Sequence, residues 1–196
     1  MNRADGPEDR GGPERCIGGA PPQPMGVAGI AGSYRIVQGM DSVAFYYDIG
    51  QGQGYSLAVP VTNLPHLPSS IREYRGDPRG RWEGDTFVVD TTNFTQKTNF
   101  RGSRQNLHLI ERYKRTSATT LDYRLSVEVP AVVARPWALV QELTLQDNKA
   151  NLVQEGACHE GNYGLLGMLS NTRAAERDFK AGKGPDPDLQ DNATGG

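Results

Sequence analysis

The stretch "LHLIERYKRTSATTLDYRLSVEV", residues 107 to 129, decides the fold class. In its second half Leu121, Tyr123, Leu125, Val127 and Val129 alternate with Asp122, Arg124, Ser126 and Glu128. Successive strand residues point to opposite faces, so this alternation marks a half-buried antiparallel strand. The first half, "LHLIERYKR", reaches it through the short polar stretch "TSATT", and the whole segment reads as a β-hairpin.

Working outward, further strands are expected at 34–38, 42–49, 55–59, 86–94, 137–146 and 151–159. They are short, separated by turn signals and not interleaved with helices, which predicts a mainly β fold: an antiparallel β-barrel or strongly curved sheet. In "GRWEGDTFVVDTTNF" (80–94), Gly84-Asp85 reads as a hairpin turn, "DPRG" (77–80) as another turn, and Asp147-Asn148 as a third. Asp85 is then turn chemistry and Glu83 a solvated strand residue, whereas Asp90 lies in a run of strand formers that disfavours Asp. After Asn162, read as an N-cap, Leu165, Leu166, Leu169 and Arg173 fall at helical spacing, so a short C-terminal helix is expected at about 162–180. Residues 1–32 and 181–196 are rich in Gly, Pro and charge; they read as a flexible arm and a disordered tail flanking a single β-rich domain at 33–180.

A chain of 196 residues suits one domain with a sizeable core. Its formal net charge of −2, with both signs interspersed, provides no basic stripe for phosphates, so nucleic acid is not an expected partner. No stretch approaches the roughly 18 consecutive apolar residues of a spanning helix, and the first thirty residues lack the apolar core of a secretory signal. Cys16 and Cys158 show no CxxC spacing. They could form one bridge between the arm and the end of the core, or remain two thiols; a bridge closing so long a loop is worth roughly 3 to 5 kcal/mol.

Glu111 is the most suggestive polar residue, because it shares its parity with Leu107, Leu109 and Tyr113. A carboxylate facing a core must be paired, hydrogen-bonded or protonated, and a raised pKa suits a general acid or base. The bland alternatives are a solvent-facing side or a structural partner such as a buried arginine. His159, in "CHEGNY" (158–163), is a second candidate for acid–base work, with Glu160 or Glu111 orienting its ring, against a surface histidine beside a helix start. His66, His108 and His159 with scattered carboxylates offer no metal-ligand spacing, and His108 and Glu111, three apart, fall on opposite faces of a strand, so no metal and no cofactor are expected. "GQGQG" (50–54) lacks the dinucleotide fingerprint and reads as a flexible loop. Asn93-Phe94-Thr95 matches a glycosylation pattern that is common by chance. The aromatics Tyr46, Tyr47, Tyr55, Trp82, Tyr113, Tyr123 and Trp137 read first as core, with a cavity lining that uses Gln141 or Glu111 as polar handle as the alternative.

"ERCIGG", "IREYRGDPRGRWEGDTFVVDTTNF", "NLHLIERYKRTSATTLDYRLSVEVP", "RPW" and "ACHEGNY" together resemble a large group of bacterial proteins, abundant in soil acidobacteria and environmental genomes, many of them exported. The likeness spans roughly residues 14 to 175 and brings no established activity. Similar proteins often carry a signal peptide and a segment resembling "DLSGVW"; this chain shows neither, and reads as a trimmed form or a shorter relative. The resemblance implies a periplasmic or secreted protein, and cysteines matching Cys16 and Cys158 in similar proteins support a bridge if export occurs. Calycin-like barrels are an analogy of fold that assigns no chemistry.

The leading functional expectation is a β-barrel binding a small apolar or aromatic molecule, with Glu111, Tyr113, Arg112, Asp90, Gln141, Trp82 and His159 near it. A cofactor-independent hydrolase or lyase using Glu111 or His159, with Arg112 or Tyr113 stabilising charge, is the alternative. A structural module, assembling as a homo-oligomer through strand edges or the arm, is the third.

Overall fold

The computed structural model describes residues 6–9, 15, 33–48, 55–98, 100, 103–129, 137–150, 152 and 163–189. The fold is mainly β: a three-stranded and a five-stranded antiparallel sheet, with one C-terminal helix. The smaller sheet contains β1 (Ser33–Gln38), β2 (Ser42–Asp48) and β3 (Tyr55–Pro60) in sequence order. The larger contains β4 (Asp77–Glu83), β5 (Thr86–Thr92), β6 (His108–Arg115), β7 (Thr120–Glu128) and β8 (Trp137–Thr144), again in order. A parallel bridge between Val61 and Gly80 links the two, and the Thr62 N–H donates to the Gly80 carbonyl at 2.9 Å. Among the described residues β1 and β8 do not pair.

The expected hairpin forms with Glu111 opposite Leu125 and Tyr113 opposite Tyr123. The turn after β4 forms as the sequence predicts, since Glu83 pairs with Thr86 around Gly84-Asp85. Gly84 has φ +61 while Asp85 does not share a positive φ, which is the glycine placement of a type II′ turn. "DPRG" departs from expectation: it is the first half of β4, not a turn. Pairing with Val89 to Thr92 overrides its local turn chemistry, and Pro78 costs no sheet hydrogen bond where the strand begins on a sheet edge. Asn93 ends β5 at φ +58, a conformation asparagine tolerates. Its side-chain N–H donates to the Leu67 carbonyl at 2.7 Å, so the amide of the glycosylation-like triplet holds the β3–β4 connection.

Alternation puts one face of each sheet into a shared core. Val43, Phe45, Tyr47 and Val59 come from the smaller sheet; Phe87, Val89, Leu109, Tyr113, Tyr123, Leu125 and Val127 come from the larger. Burying each such side chain contributes about 1.5–3 kcal/mol. Ring centroids of Phe45 and Tyr113 lie 5.0 Å apart and those of Phe45 and Phe87 6.5 Å, joining the sheets through aromatic contacts. Gly80 makes room for this packing: a Cβ there would come within 2.6 Å of the Phe87 ring.

The chain divides into two compact units, one containing all eight strands and the other the helix α1 (Gly164–Lys180). The N-cap of α1 is Tyr163, one residue beyond the expected Asn162, and its side chain makes no capping hydrogen bond. At the other end Gly182 takes φ +70, its N–H donating to the Phe179 carbonyl and that of Lys183 to the Asp178 carbonyl. That pairing is a Schellman cap. The supposed tail holds a short 3-10 turn at Pro187–Leu189, and the supposed arm another at Pro7–Asp9. Apart from Gly6 and Arg15, the remainder of that arm lies outside the described residues, as do the 50–54 loop and nearly all of the 151–159 strand expectation.

Candidate functional site

The register of the larger sheet sorts the candidate residues by face. On the core side one cross-strand row runs Trp82, Phe87, Tyr113, Tyr123 and Gln141, and the next runs Gly80, Val89, Glu111, Leu125 and Leu139. On the other side Asp90 stands between Arg79 and Ile110, and Arg112 between Val88 and Arg124. Glu111 and Tyr113 therefore come together, with Trp82 and Gln141 at the ends of the same face and both exposed. Asp90 and Arg112 do not join them. His159, Cys16 and Cys158 lie outside the described residues.

Glu111 is buried, 6% exposed, among hydrophobic and aromatic side chains. Tyr123 and Tyr113 donate their hydroxyl protons to the same oxygen, Oε1, at 2.9 and 3.1 Å. Its hydrogen-bond partners are thus two phenols, where a buried arginine was one of the alternatives. Oε2 has no hydrogen-bond partner among the described residues. Burial disfavours the charged form and pushes the carboxyl up to about 7, although both phenols pull it back down. Burial, and the carboxylate beside them, push the Tyr113 and Tyr123 hydroxyls far above their ordinary range, so both remain donors. The arrangement can hold, give or take one proton in a dry aromatic setting.

A second cluster lies on the opposite face, where β4 begins. Asp90 Oδ1 meets Nε2 of His108 at 2.9 Å and Nε2 of His66 at 3.2 Å. The other ring nitrogens face carboxylates too: Nδ1 of His66 lies 3.1 Å from Asp77 Oδ2, and Nδ1 of His108 3.0 Å from Glu128 Oε2. Arg79 pairs with Asp77 at 3.0 Å, and Arg81 stands 4.0 Å from Asp90. The hydrogen bond from His108 holds Asp90 below the usual carboxylate range, and Asp90 in turn raises His108. For Asp77 burial works upward, but the Leu67 N–H, His66 and Arg79 outweigh it and the carboxyl is lowered.

His108 and Glu111 do fall on opposite faces, as their spacing requires, yet the separation hid a partnership across strands. His66, Asp77, His108 and Glu128 were not expected as a group. Hairpin arithmetic places His108 opposite Glu128, so that pair was readable; His66 arrives from the β3–β4 connection, which only tertiary folding brings to Asp90. Among the described residues no group of three or more His, Cys, Asp and Glu side chains could hold a metal ion, and no helix is long and apolar enough to cross a membrane.

No family model, curated protein or solved structure matches this chain.

Proposed function

We propose that the protein binds a small apolar or aromatic molecule between its two sheets, with the Glu111 carboxyl as polar handle. The observation carrying this reading is the uneven pairing of Glu111: among the described residues two donors meet Oε1 and none meets Oε2, in a carboxyl almost wholly removed from water. Leaving a buried polar group unsatisfied costs about 1–3 kcal/mol, so a ligand that supplies its partner recovers that energy. Around it Phe45, Tyr47, Phe87, Tyr113 and Tyr123 offer aromatic faces. The complement is a molecule with a ring or terpenoid body and one hydrogen-bonding oxygen or nitrogen. In this reading the sheets curve into a calycin-like barrel and the site lies inside it.

A second reading has one observation in its favour. A carboxyl poised at about 7 suits general acid–base catalysis, so a bound molecule could be turned over by a hydrolase or lyase step at Glu111. Membership in the exported bacterial group, a periplasmic or secreted location and a Cys16–Cys158 bridge belong to the same proposal. The test is thermal unfolding against small carboxylates, phenolics, terpenoids and sugars, repeated with Glu111→Gln. A compound that raises Tm in the wild type and loses that effect in the variant supports the site, and its conversion would distinguish enzyme from binder. No shift with any class, together with a large particle in solution, would replace the binding site with an assembling module.

A further inference from the structure

The two histidines around Asp90 are held in a way that only one charge state satisfies. Nδ1 of His66 faces Asp77 from β4 and its Nε2 faces Asp90 from β5. Nδ1 of His108 faces Glu128 from β7, and its Nε2 faces the same Asp90 oxygen. A neutral imidazole carries one N–H and one lone pair, whereas the imidazolium carries two N–H groups and no acceptor. With a carboxylate at each nitrogen, a neutral ring must turn its lone pair toward another lone pair. Only a doubly protonated ring donates at both ends, and both rings share one acceptor, Asp90 Oδ1.

We propose that His66, His108 and Asp90 form a pH-operated latch: with both imidazoles doubly protonated it fastens the β3–β4 connection to the larger sheet at His66, and loss of the ring protons opens it at Asp90. His66 is the movable half, since it belongs to the connection, while Asp90 and His108 are paired into β5 and β6. The latch is independent of the Glu111 reading and lies on the opposite face of the sheet.

The surrounding charges set the direction of the switch. Asp77, Asp90 and Glu128 face the rings, Arg79 pairs with Asp77 at 3.0 Å, and Arg81 stands 4.0 Å from Asp90. The hydrogen bond to Asp90 raises His108 above its ordinary 6.5, although burial works the other way. Stability from His108 is therefore complete below 6.5 and lost as pH rises through the raised folded midpoint. On the acid side the hydrogen bond from His108 lowers Asp90, whose contribution is present above 3.8 and lost only as pH falls through that lowered midpoint. Between those limits the latch is closed. When the rings keep their Nδ1 protons on Asp77 and Glu128 and lose the other, two Nε2 lone pairs face Asp90, and that contact gives way. The His66 and His108 side chains are 27% and 31% exposed, so protons reach them from solvent. Asn93 on the Leu67 carbonyl and Arg72 on the Phe94 and Gln105 carbonyls hold the rest of the connection at any pH in this range, which confines the opening to His66 and its neighbours.

The experiment is NMR of the full chain with labelled histidines, reading ring protonation by ¹⁵N shifts and ring order by ¹³C relaxation at about pH 5.5 and about pH 8.5. The His66 ring order parameter should fall from about 0.85 at the lower pH to below about 0.6 at the higher, and His108 should titrate above 6.5. Asp90→Asn should bring the His108 midpoint down and leave the His66 ring equally mobile at both pH values. Glu111 titrates in the same range, but that variant retains it, so the two effects separate. His66 lies outside the strands, which keeps His66→Gln informative if Asp90→Asn fails to fold. There the His108 midpoint should rise, because Asp90 then serves one cation instead of two. A His66 ring equally ordered at both pH values in the wild type, or a His108 midpoint that neither variant moves, overturns the proposal.

Discussion

Tyr123 donates its hydroxyl proton to Glu111 Oε1 at 2.9 Å, across the ladder between β6 and β7. The phenol is fully buried, so the bond has no water to compete with it. It does two things at once: it satisfies Oε1, and it favours the charged form of a carboxyl that burial would otherwise neutralise more completely.

Tyr123→Phe removes that donor at almost constant volume. Stability should fall by about 1–3 kcal/mol, and the Glu111 midpoint should move above its value of about 7, because a group that lowers it is gone. Chemical denaturation and a carboxyl-resolved titration check the two outcomes separately. An unchanged midpoint would mean that the phenol does not control the acid.

The elevated Glu111 carboxyl makes stability depend on pH in a definite direction. Below the ordinary value of 4.5 both folded and unfolded chains are protonated there; between 4.5 and about 7 only the folded chain is. Stability from this group therefore falls as pH rises through that window, at up to about 1.4 kcal/mol per pH unit and about 3 kcal/mol in all. Glu111→Gln cannot titrate, so its stability relative to the wild type should improve by that amount from pH 4 to pH 8. Parallel denaturation curves at the two pH values would reveal it; a constant difference would show that Glu111 titrates normally.

Gly80→Ala should destabilise the core. The added methyl would lie 2.6 Å from Phe87 and 3.1 Å from Val59, and Phe87 also meets Trp82 at a tilt with centroids 5.1 Å apart. Overpacking of this kind costs about 1–3 kcal/mol. A loss of several degrees in Tm with altered Trp82 fluorescence is expected, whereas a neutral variant would indicate that the ring has room to move.

Asp77→Asn should loosen the connection between the sheets. Asp77 Oδ2 accepts from the Leu67 N–H at 2.8 Å and faces His66 Nδ1, while Oδ1 pairs with Arg79. Hydrogen exchange at residues 62–76 should speed up, most of all at the Leu67 amide, with the β6–β7 ladder unaffected. Unaltered exchange would mean that Asn93 and Arg72 hold the connection without it.

Alternation carried most of the strand architecture into view. The 107–129 hairpin, the Gly84-Asp85 turn and the inward parity of Glu111 follow from a period of two that tertiary packing reinforces. "DPRG" misled because turn residues report local preference, and pairing with β5 decides otherwise. Asp90 looked out of place in its strand because its partners arrive from β6 and from the β3–β4 connection. Its grouping with Glu111 failed for a simple reason: with side chains alternating across each strand, only register reveals which residues of different strands share a face.

The most direct measurement is a ¹³C NMR titration of glutamate-labelled protein, with the Glu111 carboxyl assigned by its loss in Glu111→Gln. The account predicts a midpoint at about 7, the signature of an acid whose ionisation is disfavoured by burial in the aromatic core. A midpoint near the ordinary 4.5 would contradict it, since a readily ionised Glu111 would not feel the burial that raises its carboxyl.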